Sequence, residues 1–399
     1  MDGDFHASLW RGPEAALNQR VCKITPDESA YDVRLLSYVL PGYLNAINRA
    51  TSSITVKHLS SKTVSDIPVP LPPRREQDRI VAAIEEHLSR LDAAVAGLKR
   101  VQAQLPRYRA AVLKAAVEGR LVPPESELAR AEQRQADTSE DWLGQLGLAN
   151  ALAGQAAGPP GWLLVRLMSL VRDSSYGTSG KCDYDGGGPP VLRIPNVADG
   201  RVDLSDLKRA RRGWSGLHGS ELAPGDLLVI RTNGSRNLIG RAALITTPFA
   251  APHFFASYLI RLRLLGDHLL WRWVALWWDS PQARELLEAL AATSAGQYNI
   301  SLAKLGQLSV PLPPRAEAAR ILEELDRLFS LAYSGSEVSA QTTRAERLRQ
   351  SILRRAFEGT LVPEDPNDEP ASVLLERIRA AWAAAPAPRR KPRASTARR

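Results

Sequence analysis

Two short stretches carry side chains suited to recognition rather than reaction. Tyr176, Gly177, Ser179 and Lys181 fall within YGTSGK, and Arg231, Asn233, Ser235, Arg236 and Asn237 within RTNGSRN. The first set joins a ring that can stack, a backbone free of side-chain bulk and an ammonium that seeks phosphate. The second puts Arg and Asn, which can bond in pairs to guanine and adenine edges, on a polar loop after an apolar run. Asn233-Gly234 is also a standard tight-turn pair, so part of this loop serves backbone geometry alone. Gln297, Tyr298 and Asn299, in GQYNIS, have the same double character. Arg193 and Asn196, in PVLRIPN, give a weaker signal because that phrase equally well ends a strand. Lys57 and His58 enter by position: KHLS lies opposite YNIS when the chain is aligned with itself.

Patterns for bond-making chemistry are missing. An amino-methyltransferase tetrapeptide needs Asn or Asp before Pro-Pro and an aromatic after it, and every Pro-Pro here is flanked otherwise, as in LPPR, VPPE, GPPG and GPPV. The nearest approach to a phosphate-binding P-loop, SYGTSGKC, has Ser175 for the first glycine and Cys182 for the final hydroxyl residue. The six His are scattered without an HExxH, and Pro26-Asp27 has no ExK nearby to make a nuclease site. Cys22 and Cys182 stand alone, so neither a disulfide framework nor a zinc site is expected. Trp271, Trp273, Trp277 and Trp278 could stack on bases, but their helical spacing reads better as core.

What positions these residues is a repeat. VPLPPRREQDRI begins at Val69, and VPLPPRAEAARI begins at Val310. After each comes a long helix-compatible stretch, closing on AVLKAAVEGRLVP (Ala111 to Pro123) and SILRRAFEGTLVP (Ser351 to Pro363). Proline before each helix, at Pro73 and Pro314, suits a first helical turn. Gly119 and Gly359 suit the left-handed residue that ends a helix, and Pro123 and Pro363 forbid continuation. Each copy therefore predicts one helix of about 45 residues, roughly 65 Å long. Ile80, Ile84, Leu88, Leu91, Val95, Leu98, Leu105, Tyr108 and Val112 form a narrow apolar seam. Ile321, Leu325, Leu328, Leu348 and Ile352 repeat it around a polar middle, and two such seams bury each other best as an antiparallel pair. Pro106 predicts a kink.

Ahead of the second VPLPPR, residues 161–309 alternate short β-rich runs with Gly/Asn/Asp loops, the pattern of a complete small α/β domain. Ahead of the first there are far fewer residues, and the stretch from Gly161 to Thr232 finds no counterpart there. Residues 1–67 are therefore expected to be a partial domain with cut edges, poorly stable and prone to aggregate. The net charge of +9 is uneven, since residues 386–399 hold six Arg or Lys and no acid and are expected to be a disordered, solvated tail. The remaining body is mildly basic, which fits a local groove for nucleic acid better than a surface basic all round. No apolar run is long enough to span a membrane, and the start lacks a signal peptide, so a reducing cytoplasmic setting is expected.

Taken together, PLPPR with Glu76 and Gln77, EGRLVP, YGTSGK, PVLRIPN, GDLLVIRTNGS with LIGRAA, and NIS before the second PLPP make the chain resemble the DNA-specificity subunits of type I restriction-modification systems. The resemblance runs from about Asp2 to Ala380. It departs at Ala318, which stands where Gln77 does, with little consequence expected, and at the short front of the first domain. It implies an α+β chain in which two α/β target-recognition domains, the first partial, alternate with two long helices packed as an antiparallel coiled coil, with pseudo-twofold symmetry. The expected division is 1–67 partial reader, 68–123 lead-in and helix, 124–160 linker, 161–309 complete reader, 310–363 second lead-in and helix, and 364–399 short helix and tail. The implied role is non-catalytic: binding double-stranded DNA at a bipartite site for two methyltransferase subunits and for restriction subunits. The chain itself would hold no cofactor; S-adenosylmethionine would belong to the methyltransferase, and ATP and magnesium to the restriction subunit. A short first reader would also permit two chains to pair. A coiled-coil scaffold unrelated to DNA is the competing class, and an inactive, truncated remnant of a specificity subunit is the other alternative.

Overall fold

The computed structural model describes the chain except for residues 1–4, 19, 51–58, 149–157, 199, 214–220, 295–296, 332–334 and 385–399. In chain order the helices are α1 (Val33–Ala50), α2 (Ser61–Ser65), α3 (Arg74–Val117), α4 (Glu125–Ala131), α5 (Ser139–Gln145), α6 (His268–Trp278), α7 (Pro281–Leu290), α8 (Leu302–Leu305), α9 (Arg315–Leu331), α10 (Gly335–Phe357) and α11 (Ala371–Ala384). The strands are β1 (Leu163–Arg166), β2 (Val171–Tyr176), β3 (Cys182–Asp183), β4 (Pro190–Leu192), β5 (Val197–Ala198), β6 (Arg201–Val202), β7 (Lys208–Ala210), β8 (Asp226–Ile230), β9 (Thr232–Asn233), β10 (Ala242–Leu244), β11 (Phe254–Phe255), β12 (Leu259–Leu264), β13 (Ala292–Ser294), β14 (Gln297–Asn299) and β15 (Ser309–Leu312). Two compact units result: residues 1–102 with 334–399, and residues 103–333.

In the first unit every described element is helical. Its main core sets Ile80, Val81, Ile84 and Leu88 of α3 against Tyr31, Leu35 and Val39 and against Ile352, Leu353, Ala356 and Phe357 of α10. Full burial of each aliphatic side chain of this kind stabilises by about 1.5–3 kcal/mol, so a four-residue stripe is enough to seat the end of the helix. Residues that rise along α3 meet residues that fall towards α10: Arg79 pairs with Asp368 at 2.6 Å, and Asp92 pairs with Arg349. Gln77 is completely buried; its Oε1 accepts from the Asp32 amide at 2.7 Å, and its Nε2 donates to the Ala30 and Pro72 carbonyls, both at 2.9 Å. Residues 5–32 form no helix or strand among those described, and Trp10 (70% exposed), Leu17, Val21 and Ile24 lie in the open.

The second unit is built on sheets. β10, β8, β12 and β2 form an antiparallel sheet in that order, with β8 buried along its whole length. A second sheet runs β11-β4-β7-β3, with β11 and β4 its parallel pair, and β13, β14 and β9 make a third. The Trp-rich α6 belongs to the core: Trp273 and Trp278 are fully buried, Trp273 Nε1 donates to the Pro311 carbonyl and Trp278 Nε1 to Gly240, both at 2.7 Å. Arg109 of α3 lies 5.1 Å over the Phe329 ring of α9, and Val112 and Ala116 share a core with Ile321, Leu322 and Leu325. The second VPL, with Ser309 before it, is itself strand β15, paired antiparallel with β1 from Leu163↔Leu312 to Arg166↔Ser309.

Several expectations are revised. Pro73 and Pro314 stand just before their helices rather than inside the first turn, and their carbonyls accept the first helical bonds, from Gln77 and Ala318. α3 has 44 residues, but the middle of its seam is not buried: Leu91, Val95, Leu98 and Leu105 are half-buried and Tyr108 is 42% exposed. The second long stretch is described as α9 and α10, with 332–334 between them outside the described residues. Residues 124–148, expected as linker, are folded. A Thr138–Asp141 capping box starts α5, whose Trp142 and Leu143 are fully buried in the core of the second unit, while the Ser139 hydroxyl donates to the Gly161 and Leu312 carbonyls. No helix among the described residues is long and apolar enough to cross a membrane.

Candidate nucleic-acid interface

Three of the stretches singled out by sequence meet in the second unit. β2 ends at Tyr176, and the chain then turns against the strand beside it: the Thr178 amide donates to Phe255 at 2.9 Å and the Ser257 amide returns a bond to Thr178 at 2.8 Å. Gly177 sits so close to the Phe255 and Ala256 carbonyls that a Cβ there would overlap them, so its lack of a side chain serves this approach. β8 is followed by Arg231, whose amide donates to Tyr258 and whose carbonyl accepts from Ile300. β9 then pairs with β14, Tyr298↔Asn233 and Asn299↔Thr232.

The residues at this junction interlock. The Arg231 guanidinium lies 4.5 Å over the Tyr176 ring, while the Tyr176 hydroxyl accepts from the Leu302 amide at 3.3 Å. Tyr176 remains 42% exposed and Tyr258 55% exposed, and Arg231 Nε has no hydrogen-bond partner among the described residues. A cation held on an aromatic face stabilises by about 0.5–2 kcal/mol, so arginine and ring are held in place before any ligand arrives. Ser179, Lys181, Ser235, Arg236, Asn237, Gln297 and Asn299 are exposed around them. Asn233 is partly committed, its Oδ1 accepting from the Ser235 amide at 2.8 Å, and Arg236 Nε lies 3.5 Å from Glu288.

Two expected contacts are placed otherwise. Asn196 is 1% exposed; its Oδ1 accepts from the Arg193 amide and its Nδ2 donates to the Asp203 and Asp206 carbonyls, so it holds a turn and presents no free edge. Arg193 pairs with Asp206 at 3.0 Å and is about one-fifth exposed. Lys57 and His58 lie outside the described residues. Sequence reasoning passed over Tyr184 and Tyr258, which are both exposed turn aromatics, and over the run KRARRG from Lys208 to Gly213. A charge run without acids was the available signal for the last of these.

The same surface offers little to catalysis. Burial raises the Cys182 thiol above its usual range, which disfavours the reactive thiolate. Among the described residues no cluster of His, Cys, Asp and Glu could hold a metal ion. A hollow of about 710 Å³ in the second unit is lined by α6, α9, the end of α3 and residues 244–250, and includes none of the site residues named above.

Comparison with known proteins follows from this geometry. Residues 3–105 match the type I restriction modification DNA specificity domain. The chain is 31% identical over 398 residues to the EcoBI specificity subunit of Escherichia coli, covering 96% of this chain and 79% of that one. It is 28% identical to the EcoKI specificity subunit of Escherichia coli strain K12, covering 86% and 70%. A solved chain described under "Structural basis underlying complex assembly and conformational transition of the type I R-M system" shares the fold, with a TM-score of 0.50 at 23% identity over 84% of this chain and 74% of that one. A duplicated lead-in and helix and a likeness that extends over nearly the whole length agree: the chain belongs to the DNA-specificity subunits of type I restriction-modification systems.

Proposed function

We propose that residues 161–309 form a target-recognition domain that reads one part of a bipartite duplex site through Tyr176, Ser179, Lys181, Arg231, Ser235, Asn237, Gln297 and Asn299. The observation that carries this reading is the convergence of the YGTSGK, RTNGS and QYN segments beside an exposed, arginine-stacked Tyr176. Arg and Asn beside the stack can bond to base edges, and the surrounding hydroxyls and ammonium can hold phosphates. Methyltransferase subunits and restriction subunits carry out the chemistry. Adenine methylation with S-adenosylmethionine belongs to the first, ATP and magnesium to the second. Residues 1–67 form a partial reader, and the two copies of lead-in and helix form an antiparallel spacer on which the methyltransferases dock. The setting is the cytoplasm, where the chromosome lies.

Mapping methylated adenines in the host genome with and without this gene tests the reading. Loss of one motif on deletion is expected. A palindromic motif means that two chains pair, each supplying the same reader; an asymmetric motif means that both readers of one chain work. An unchanged methylation map overturns the proposal.

A further inference from the structure

Beside the reading loops, the second sheet of the second unit carries a ridge of cations of which only Lys181 belongs to those loops. β7 and the residues after it spell KRARRG, and Lys181 directly precedes β3, the strand paired with it, where Cys182 lies opposite Ala210 and Asp183 opposite Arg209. Lys181, Arg209, Arg211 and Arg212 are exposed, and none of them, nor Lys208, forms an ion pair among the described residues. Asp183 and Asp185 are the acids of the adjoining turn, and the sequence from Lys208 to Ser220 contains four cations and no acid. Lys181, Arg211, Arg212 and Gly213 line an open hollow of about 470 Å³.

The ridge is held rather than loose. The Gly188 amide donates to Ala210 and the Ala210 amide to Pro189, each at 2.9 Å, which binds the Gly186–Gly188 turn along the back of the arginine strand. A Cβ at Gly186 or Gly188 would press on the carbonyls of Arg209, Ala210 or Arg211, so the glycine run lets backbone meet backbone there. Lys208 Nζ lies 4.9 Å over the Tyr184 ring and Arg209 Nη1 donates to the Gly188 carbonyl at 3.2 Å; both fix β7, which Arg211 and Arg212 directly follow. Like charges are gathered here on and beside a supported strand, at a cost in mutual repulsion that an anionic partner relieves.

We propose that this ridge, Lys181 with Arg209, Arg211 and Arg212, grips the DNA sugar-phosphate backbone independently of sequence, while the Tyr176–Arg231 junction reads bases. The inference rests on the reading of residues 161–309 as a DNA-recognition domain. Its partner is the phosphodiester chain of a duplex, because arginine forks match phosphate oxygens and an open hollow suits a continuous strand better than a small enclosed ligand. The six-residue link from Tyr176 to Lys181 makes base reading and backbone grip parts of one device.

The test uses the full chain in complex with its methyltransferase subunits and two labelled duplexes, one containing the methylated motif and one without it. Binding is measured from low to high salt for the wild type and for R211Q/R212Q. The double variant is expected to weaken binding to both duplexes by a similar factor, to flatten the slope of log affinity against log salt by about 1 to 2, and to leave the methylated motif unchanged. An unaltered slope and affinity overturns the grip and leaves the reading of the domain standing; loss on the motif duplex alone makes the arginines base readers and also overturns it. A wild-type complex that binds neither duplex in a salt-dependent way overturns the recognition reading itself. The variant's melting temperature, expected within about 1 °C of wild type because both side chains are exposed, separates loss of grip from loss of fold.

Discussion

Val310 to Pro314 and Val69 to Pro73 are both VPLPP, yet they end in different structures. The second copy supplies β15, paired with β1 and accepting the Trp273 indole N–H at Pro311. The first copy, over residues 67–73, belongs to no helix or strand. The letters allow an extended edge in both places, since a proline lacks the N–H that an interior strand needs. What differs is the neighbour: the second unit has Leu163–Arg166 alongside, and the first unit has no strand among its described residues. A strand is thus a property of a pair, whereas the helix that follows each copy is largely local.

The anchoring of the two helices differs as well, although their sequences are nearly matched. In the first copy the neutral Gln77 gives two hydrogen bonds and takes one. In the second, Ala318 fills that position, and Glu317, the residue before it, is the buried anchor, accepting from the Trp162 indole and from the Glu125 amide, each at 2.9 Å. A Gln-to-Ala difference that looked minor in sequence therefore moves the anchor one residue and changes an amide to a carboxylate. Burial raises the Glu317 carboxyl above its ordinary range, while the Arg134 and Arg320 guanidiniums outweigh burial at neighbouring Glu125 and lower it.

The largest expected effect comes from exchanging these anchors. Q77E places a carboxylate against the Ala30 and Pro72 carbonyls with no donor to offer, and should destabilise the first unit by about 3–4 kcal/mol. E317Q keeps one acceptor of the two required and turns a donor on the other N–H, for about 2 kcal/mol in the second unit. Hydrogen exchange resolved by segment should place each loss in its own unit; equal losses in both units for either variant would break the comparison. The pH dependence sharpens it. A carboxyl with a raised folded pKa contributes stability that is fully present below its unfolded value and is lost as pH rises through the folded one. The gap between wild type and E317Q should therefore widen as pH falls from 7 towards 4.5, with Glu125 unaffected until lower pH because its shift is downward.

Smaller differences are expected at the helix ends. Arg120 N–H donates to Ala115 and Thr360 N–H to Arg355, both at 2.8 Å, across left-handed glycines with φ of 66° at Gly119 and 70° at Gly359. G359A meets open space and should cost only the backbone term, about 1 kcal/mol. At Gly119 a Cβ would overlap Pro159, so G119A should cost at least about 1 kcal/mol more. Thermal melts of the two variants compare them directly, and equal shifts would show that Pro159 yields freely.

How much was legible followed from how local each feature is. Gly119, Gly359 and their following prolines announced helix ends, and the spacing of Trp273, Trp277 and Trp278 announced a core face, because turns and helical stripes are written within a few residues. The half-buried middle of the α3 seam was not foreseen, since a seam shows what could be covered and not what covers it. Nor was Asn196, whose three hydrogen bonds reach residues up to ten positions away. The stack of Arg231 on Tyr176, 55 residues apart in number, exists only because β2 and β8 flank β12. Residues 124–148 read as linker because their two short helices are stabilised by the core they join.

The pairing of β1 with β15 has one further consequence. The two ends of the stretch from Leu163 to Leu312 are hydrogen-bonded neighbours, while its core continues into Val112, Ala116, Ile321 and Leu325 of the helices. Loops away from that shared core could differ while the β1–β15 pair and the packing against α3 and α9 stayed as they are.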